Sequence, residues 1–180
     1  MVLKLSERKG SMGASAGIAV ASGDLPRLDQ QLCFALYSAV NRVTRAYRPV
    51  LAALGLTYPQ YLTLLALWEQ SPRTVGALGD ALDLDSGTLT PLLKRLEKQA
   101  LVRRRRDPAD ERRVIVELTD AGQALRARAA EVPAQLACQI ALPTAELIEL
   151  GDRVRRFNSQ VAKVPVNSAA APKKAAAGRR

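Results

Sequence analysis

The sequence predicts a mainly α-helical protein with one small β-hairpin. Hydrophobic residues make up 48% of the 180 residues, which is enough for a core, and only 4% are aromatic. Apolar residues recur at helical spacing through most of the chain, whereas a basic stretch after residue 100 is typical of two strands and a turn. We therefore expect helices throughout and a single hairpin.

The first helix is predicted over residues 25–47 and should end at Pro49. A second helix should begin after Thr57, an N-cap candidate with Pro59 two residues later, and end before Pro72. Leucine-rich composition supports both helices. Little else in one small chain could cover the long first helix, so a partner surface is expected there.

Two short helices around a three-residue turn indicate a helix-turn-helix. Thr74 should open the first, residues 83–85 should form the turn, and the second should run from Ser86 to about Gln99. Pro91 predicts a bend or a late start in the second helix. One face of this helix is expected to pack and the other to stay polar; the packing residues are Leu89, Leu92, Leu93 and Leu96.

The predicted hairpin follows at once and is strongly basic. Residues 101–106 and 112–118 can extend around a turn at 107–110. The stretch from Lys94 to Arg113 holds nine basic and four acidic residues, a net +5 of the chain's +10. Such concentration indicates a polyanionic partner, and double-stranded DNA fits better than a membrane surface because no large apolar face adjoins it.

A helix-turn-helix followed by a basic hairpin predicts which side chains contact DNA. Arg103 and Arg105 lie on the first strand of the hairpin, although a run of charges is more often a solvated strand edge. We expect base-edge contacts, phosphate contacts and a minor-groove contact at the hairpin tip. In that order the candidates are Ser86, Thr88 and Arg95, then Lys94 and Lys98, then Arg112.

The C-terminal part resumes helical composition. A helix is predicted over residues 120–140 with an interruption at Pro133, and a last helix should run from Pro143-Thr144 to about Lys163. Residues 1–24 are expected to be a flexible extension and residues 164–180 a disordered basic tail.

The absence of histidine limits the chemistry of this chain. It removes the usual metal ligand and the usual general base near neutral pH, which excludes zinc sites and Ser-His or Cys-His catalysis. We expect no metal and no cofactor, and because the middle of the chain is devoted to DNA reading we expect no enzyme. Two cysteines do not make a disulfide scaffold, and no apolar run of about 18 residues could span a membrane. The sequence therefore predicts a cytoplasmic protein.

The two cysteines, Cys33 and Cys138, are far apart in sequence. Cys33 and Tyr37 are four residues apart, so they share a helix face. Tyr47 would lie about 21 Å further along the same helix, so it can reach Cys33 only from a second chain or after a sharp break. By itself this spacing favours an ordinary buried core cysteine.

The stretch DLDSGTLTPLLKRLEKQALVRRRRDPADERRVIVELTDAG resembles the winged helix-turn-helix of the MarR family. The segments LDQQLCFALYSAVNRVTRAYRPVL and LTYPQYLTLLALWE are similar to one branch, the organic hydroperoxide resistance repressors. This resemblance covers roughly residues 28–161. It implies a homodimer with interlocking N- and C-terminal dimerisation helices, formed by residues 25–56 and 120–163 around a DNA-binding domain at 57–119.

The resemblance also implies a redox switch, in which Cys33 is the reactive thiol and not an ordinary buried core cysteine. The repressor would bind operator DNA when reduced and leave it when an organic hydroperoxide oxidises Cys33. In this branch tyrosines of the opposite subunit donate hydrogen bonds to the thiol, and Tyr37, Tyr47 and Tyr58 match those positions. Cys138 matches the resolving cysteine of the two-cysteine type, which forms a disulfide between subunits.

Several alternatives stay open at this point. Cys138 could be passive, with the sensor acting through mixed disulfides. The chain could be a regulator that a noncovalent small molecule releases from DNA, a thiol peroxidase, or a nonspecific DNA-binding protein.

Overall fold

The computed structural model describes residues 25, 27–137 and 142–162. The chain divides into two compact units, with the boundary between Arg45 and Ala46. Cys138, the expected extension at 1–24 and the basic tail at 164–180 lie outside the described residues.

The described residues form seven α-helices and a small sheet, which confirms the predicted fold class. Strands β1 (Arg73–Thr74), β2 (Val102–Asp107) and β3 (Asp110–Leu118) are antiparallel in the order β1-β3-β2, so the hairpin gains a third strand that was not predicted. We call β2, β3 and their turn the wing. The helices are α1 (Leu32–Ala52), α2 (Tyr58–Glu69), α3 (Val75–Leu82), α4 (Ser86–Lys98), α5 (Asp120–Ala129), α6 (Val132–Ala137) and α7 (Thr144–Val161).

Helix α1 departs from the prediction at both ends. It begins at Leu32, after a short 3-10 turn at Leu28–Gln30, and it continues through Pro49. Pro49 lies in the last turn, where a proline removes only one of the hydrogen bonds that hold the helix. The predicted end at Pro49 is therefore wrong.

The core of the second unit joins the helix-turn-helix, the wing and α5–α6. Trp68 of α2 is buried, and its Nε1 donates a 2.9 Å hydrogen bond to the carbonyl oxygen of Gly122 in α5. All four leucines predicted to pack on α4 are buried. The most deeply buried apolar residues are Leu51, Leu64, Leu67, Leu78, Leu89, Leu93, Leu96, Val102, Val116 and Val132.

The turn between α3 and α4 follows the prediction closely. Asp83 takes the left-handed conformation (φ 52°) that aspartate tolerates, and it ends α3. The backbones approach closely here, because a Cβ on Gly79 would lie 2.8 Å from the carbonyl oxygen of Leu84. The side chain of Asp85 then caps α4.

Helix α4 contains Pro91 and begins at Ser86, so the predicted late start is wrong. Because Pro91 has no backbone N–H, the carbonyl of Gly87, four residues earlier, has no hydrogen-bond partner from that position. Gly87 is exposed, so water can satisfy that carbonyl.

The C-terminal helices also differ slightly from the prediction. The break falls between Ala129 and Val132, so Pro133 lies in the first turn of α6, where proline is tolerated. Helix α7 begins at Thr144, as predicted. Among the described helices, none has the length and apolar character to cross a membrane.

Candidate nucleic-acid interface and sensor thiol

Helix α4, the recognition helix, presents its predicted DNA contacts to solvent. Ser86, Lys94, Arg95 and Lys98 are exposed, away from the buried leucines. Thr88 is also exposed, but its side chain already has a partner. The predicted polar face of this helix is thus available to a ligand.

The start of the recognition helix is held by Asp85. Its carboxylate accepts a 2.9 Å hydrogen bond from the backbone N–H of Thr88 and another of 2.9 Å from the Thr88 hydroxyl. These bonds, the backbone one first, lower the pKa of Asp85. The Thr88 hydroxyl therefore donates within the protein, and it can meet a base only as an acceptor.

Two arginines of β2 share one carboxylate of β3. Arg103 lies directly opposite Glu117 in the sheet, and its Nη2 is 2.6 Å from Glu117 Oε1. The Arg105 Nε is 3.5 Å from the other oxygen. The hydrogen bond from Arg103 is the main cause that lowers the pKa of Glu117. Arg103 and Arg105 thus lie on one face of the wing and are partly neutralised.

Arg104 points to the opposite face and contacts the recognition helix. Its guanidinium and its backbone N–H both donate to the carboxylate of Glu97 in α4. The side-chain hydrogen bond from Arg104 is the main cause that lowers the pKa of Glu97. This contact was not predicted, although strand alternation in residues 103–106 separates Arg104 from Arg103 and Arg105.

A groove of about 500 Å³ runs between the start of α3, the recognition helix and the wing. In the described part of the chain, Arg112 makes no ion pair, whereas the Arg113 Nε is 3.8 Å from Asp107 Oδ2. Arg112 can therefore offer its whole guanidinium to a phosphate or a groove edge. The polar residues lining the groove are Thr74, Ser86, Thr90, Arg104, Arg112 and Arg113.

Sequence reasoning missed Thr74, Thr90 and Arg113 as groove residues. Thr90 lies one helical turn after Ser86, and this spacing could have identified it. The sequence predicts only a capping role for Thr74, which it does perform, since its hydroxyl accepts a hydrogen bond from the backbone N–H of Ala77.

Cys33 is exposed on α1, one helical turn before Tyr37. Tyr37 is 66% exposed, and no hydrogen bond joins the two side chains within the described residues. In this chain Cys33 is therefore not the buried core residue that its spacing alone favoured.

The other predicted tyrosines belong to an aromatic cluster in the second unit. The ring centroids of Tyr47 and Tyr58 are 4.7 Å apart, and Tyr61 lies 6.1 Å from Tyr47. Burial first, and then the neighbouring phenols, raise the pKa of Tyr47, and burial is also the main cause that raises the pKa of Tyr61. These phenols therefore stay protonated and can donate. Tyr61 was not predicted, although it lies three residues after Tyr58 on α2.

Comparison with known proteins agrees with this geometry. Residues 45–128 match the family described as transcriptional regulator SarA/Rot. The chain is 49% identical over 110 residues to the organic hydroperoxide resistance transcriptional regulator of Bacillus subtilis (strain 168), covering 61% of this chain and 75% of that protein. The chain belongs to the MarR family. It is a winged helix-turn-helix transcriptional regulator, and the predicted resemblance is confirmed.

Solved structures of AbfR from Staphylococcus epidermidis are similar to this MarR-family chain. Reduced AbfR bound to DNA matches with a TM-score of 0.64 and 37% identity, over 76% of this chain and 95% of that chain. Disulfide-formed AbfR matches with a TM-score of 0.57 and 36% identity, over 76% of this chain and 93% of that chain.

Proposed function

We propose that this chain is a redox-sensing repressor that binds operator DNA when Cys33 is reduced and leaves it when an organic hydroperoxide oxidises Cys33. The observation that carries the proposal is the position of Cys33 on α1, one helical turn before Tyr37, in a chain 49% identical to an organic hydroperoxide resistance regulator. The similarity to AbfR in reduced, DNA-bound form and in disulfide form supports the same reading.

The chemistry needs two thiols and one hydroperoxide. The Cys33 thiolate attacks an oxygen of the hydroperoxide and the O–O bond breaks. Cys33 becomes a sulfenic acid, and the departing alkoxide takes up a proton and leaves as an alcohol. Cys138 of the partner subunit then attacks the Cys33 sulfur, the S–O bond breaks and water leaves. The product is an intersubunit disulfide, and the two electrons have passed to the peroxide.

Tyrosines are the proposed activators of the thiol. With no histidine in the chain, the thiolate must be favoured by hydroxyl donors, a helix N-terminus or nearby cations. Tyr37, Tyr47 and Tyr58 are assigned this role across a homodimer. The ring centroids of Tyr47 and Tyr58 lie 4.7 Å apart, so two of these phenol donors already belong to one cluster, which supports the assignment.

A homodimer is supported by apolar side chains that one chain leaves exposed. Phe34 and Val40 are 39% and 60% exposed on α1, and Ile148 of α7 is 59% exposed. Exposed apolar side chains in such number are typical of a partner surface. We assign residues 25–56 and 120–163 to dimerisation, and residues 57–119 to DNA reading.

The DNA interface is proposed to use the recognition helix and the wing. Arg112, unpaired in the described part of the chain, is assigned to the wing-tip contact. We assign base contacts to Ser86, Thr88 and Arg95, and phosphate contacts to Lys94 and Lys98. Arg103 and Arg105 are assigned to DNA contacts made by the wing.

The deciding experiment measures operator binding before and after oxidation. The wild-type chain, Cys33→Ser and Cys138→Ser are titrated onto DNA at fixed salt, with and without cumene hydroperoxide, and run on non-reducing gels. Cys33→Ser should bind DNA and ignore the oxidant, and the wild-type chain should form a disulfide-linked dimer. Release of Cys33→Ser by peroxide would refute the sensor role, and a wild-type chain that stays monomeric on the gel would refute the role of Cys138.

The hydroperoxide consumed during the same titration separates the alternatives. A sensor consumes hydroperoxide in proportion to its thiols, whereas a thiol peroxidase with a reductant would turn over many times. A regulator released by a noncovalent ligand would lose DNA binding without forming any disulfide.

A further inference from the structure

The carboxylate of Glu97 holds the wing against the recognition helix. The Arg104 backbone N–H donates to Glu97 Oε1 at 3.1 Å, and the Arg104 Nε and Nη2 donate to Oε2 at 2.9 and 2.5 Å. Both side chains are only partly exposed, Arg104 at 25% and Glu97 at 36%. Three donors from one residue therefore converge on a single carboxylate, and one of them belongs to the main chain of β2.

Electrostatics alone does not explain an acidic residue at this place. Glu97 lies between Arg95 and Lys98 on the helix proposed to enter the major groove of DNA. Arg104 lines the protein's own groove, between the recognition helix and the wing, beside Arg112. A carboxylate here repels phosphates and removes one arginine from their reach. Any favourable contribution of Glu97 to DNA binding must therefore come from geometry.

The main-chain hydrogen bond indicates what that geometric contribution is. A side-chain ion pair alone would tolerate movement, because a long guanidinium can follow its partner. The bond to the Arg104 N–H instead fixes the first half of β2 relative to the last turns of α4. Because β2 and β3 keep one register as far as the pair Arg106 and Val114, this contact also places Val114 relative to α4. Arg112 lies two residues before Val114, in the stretch where the register shifts towards the tip, so its position relative to Ser86 follows from this placement.

We propose that Glu97 is a positioning residue that sets the spacing between the recognition helix and the wing and so determines operator specificity, an inference that rests on the proposed DNA-reading function. Glu97 does not touch DNA in this account. It acts through Arg104, so that base-edge contacts from α4 and the wing-tip contact are satisfied together only on the correct sequence.

Charge removal and loss of positioning predict opposite signs for the specific complex. If Glu97 acted only as a negative charge, Glu97→Gln would raise affinity for every duplex alike. Glu97→Gln keeps one oxygen for the Arg104 main-chain N–H but puts an NH2 donor against the Arg104 guanidinium, which pushes the two apart. If Glu97 positions the wing, this variant raises or preserves affinity for nonspecific DNA but lowers affinity for the operator. Glu97→Asp keeps the charge and shortens the side chain, so it should lower operator affinity without the electrostatic gain.

The experiment uses the reduced full-length chain and a duplex that the wild-type protein selects from a randomised pool. A scrambled duplex of the same composition gives nonspecific affinity at the same salt. We expect Glu97→Gln and Glu97→Asp each to lower the ratio of the two affinities by about tenfold, comparable to losing one charge-assisted hydrogen bond. Thermal unfolding by circular dichroism reports whether each variant is folded.

Glu111→Gln is the matched control. Glu111 lies near the wing tip, and its carboxylate makes no ion pair in the described part of the chain, so this variant changes the charge without touching Arg104. Its two affinities should rise together, leaving their ratio unchanged. A Glu97→Gln ratio equal to that of Glu111→Gln, with Glu97→Asp unchanged, overturns the inference alone; a wild-type chain that selects no sequence overturns the proposed DNA-reading function and this inference with it.

Discussion

Replacing Trp68 with phenylalanine should destabilise the fold by an amount that the structure allows us to estimate. Trp68→Phe removes the 2.9 Å hydrogen bond to the Gly122 carbonyl, which also accepts a main-chain bond within α5, so the cost is about 0.5–1.5 kcal/mol. A void of roughly 40 Å³ adds about 1 kcal/mol at about 24 cal/mol per Å³. The sum, about 1.5–2.5 kcal/mol, corresponds to a fall in Tm of about 3–10 °C for a chain of this size.

Thermal unfolding followed by circular dichroism at constant protein concentration measures this change. Fluorescence is unsuitable because Trp68 is the only tryptophan in the sequence. Leu65→Ala is the control, since Leu65 lies on the same helix but is 36% exposed, and it should cost less than about 1 kcal/mol. A Trp68→Phe chain that unfolds within a degree of wild type would show that the bond between α2 and α5 contributes nothing.

Three further outcomes follow from the wing and the tyrosine cluster. Arg112→Ala should reduce the slope of log K against log salt by about 1, and Arg103→Ala by less, because Glu117 already pairs with Arg103; fluorescence anisotropy on labelled DNA tests the order. The lowered pKa of Glu117 contributes stability above its ordinary pKa of 4.5, and that stability is lost as pH falls through the lowered value. Glu117→Gln should therefore destabilise the chain to urea near neutral pH, by an amount that shrinks steadily as the pH is taken below 4.5. The raised pKa of Tyr47 contributes stability that is complete below 10.0 and lost as pH rises above it. An ultraviolet titration of Tyr47→Phe should lose one late-ionising phenol and keep that of Tyr61, and an unchanged titration would contradict the burial of Tyr47.

The helices could be predicted because their signals are local. Thr74 and Asp85 cap α3 and α4 through contacts within three residues, and the leucines of α4 have the period of a helix. The prolines carry no such local signal. Pro49 and Pro91 both lie inside helices. The cost of a proline depends on whether the carbonyl four residues earlier, which loses its hydrogen bond, can reach water, and that depends on the tertiary surroundings.

Contacts between distant segments could not be predicted from spacing. Strand β1 is two residues long and is defined only by its pairing with Val116 and Ile115. Gly122 is required because a Cβ there would lie 2.0 Å from the carbonyl oxygen of Leu101, a contact between α5 and the residue that precedes β2. Neither feature leaves a pattern in its own segment, so a single sequence does not reveal it.

The basic stretch shows how far charge alone can be taken. Of its nine basic residues, four lie within ion-pair distance of a carboxylate, namely Arg103, Arg104, Arg105 and Arg113. Composition places the proposed interface on the recognition helix and the wing, but it does not distinguish arginines that pair with carboxylates inside the protein from arginines that are free to contact phosphates. Because counterion release counts only the charges that DNA neutralises, the salt dependence should follow the uncommitted residues rather than the whole run. Internal pairing lowers the nonspecific attraction and leaves relatively more of the binding free energy to geometry, which is the condition under which a repressor distinguishes its operator from other DNA.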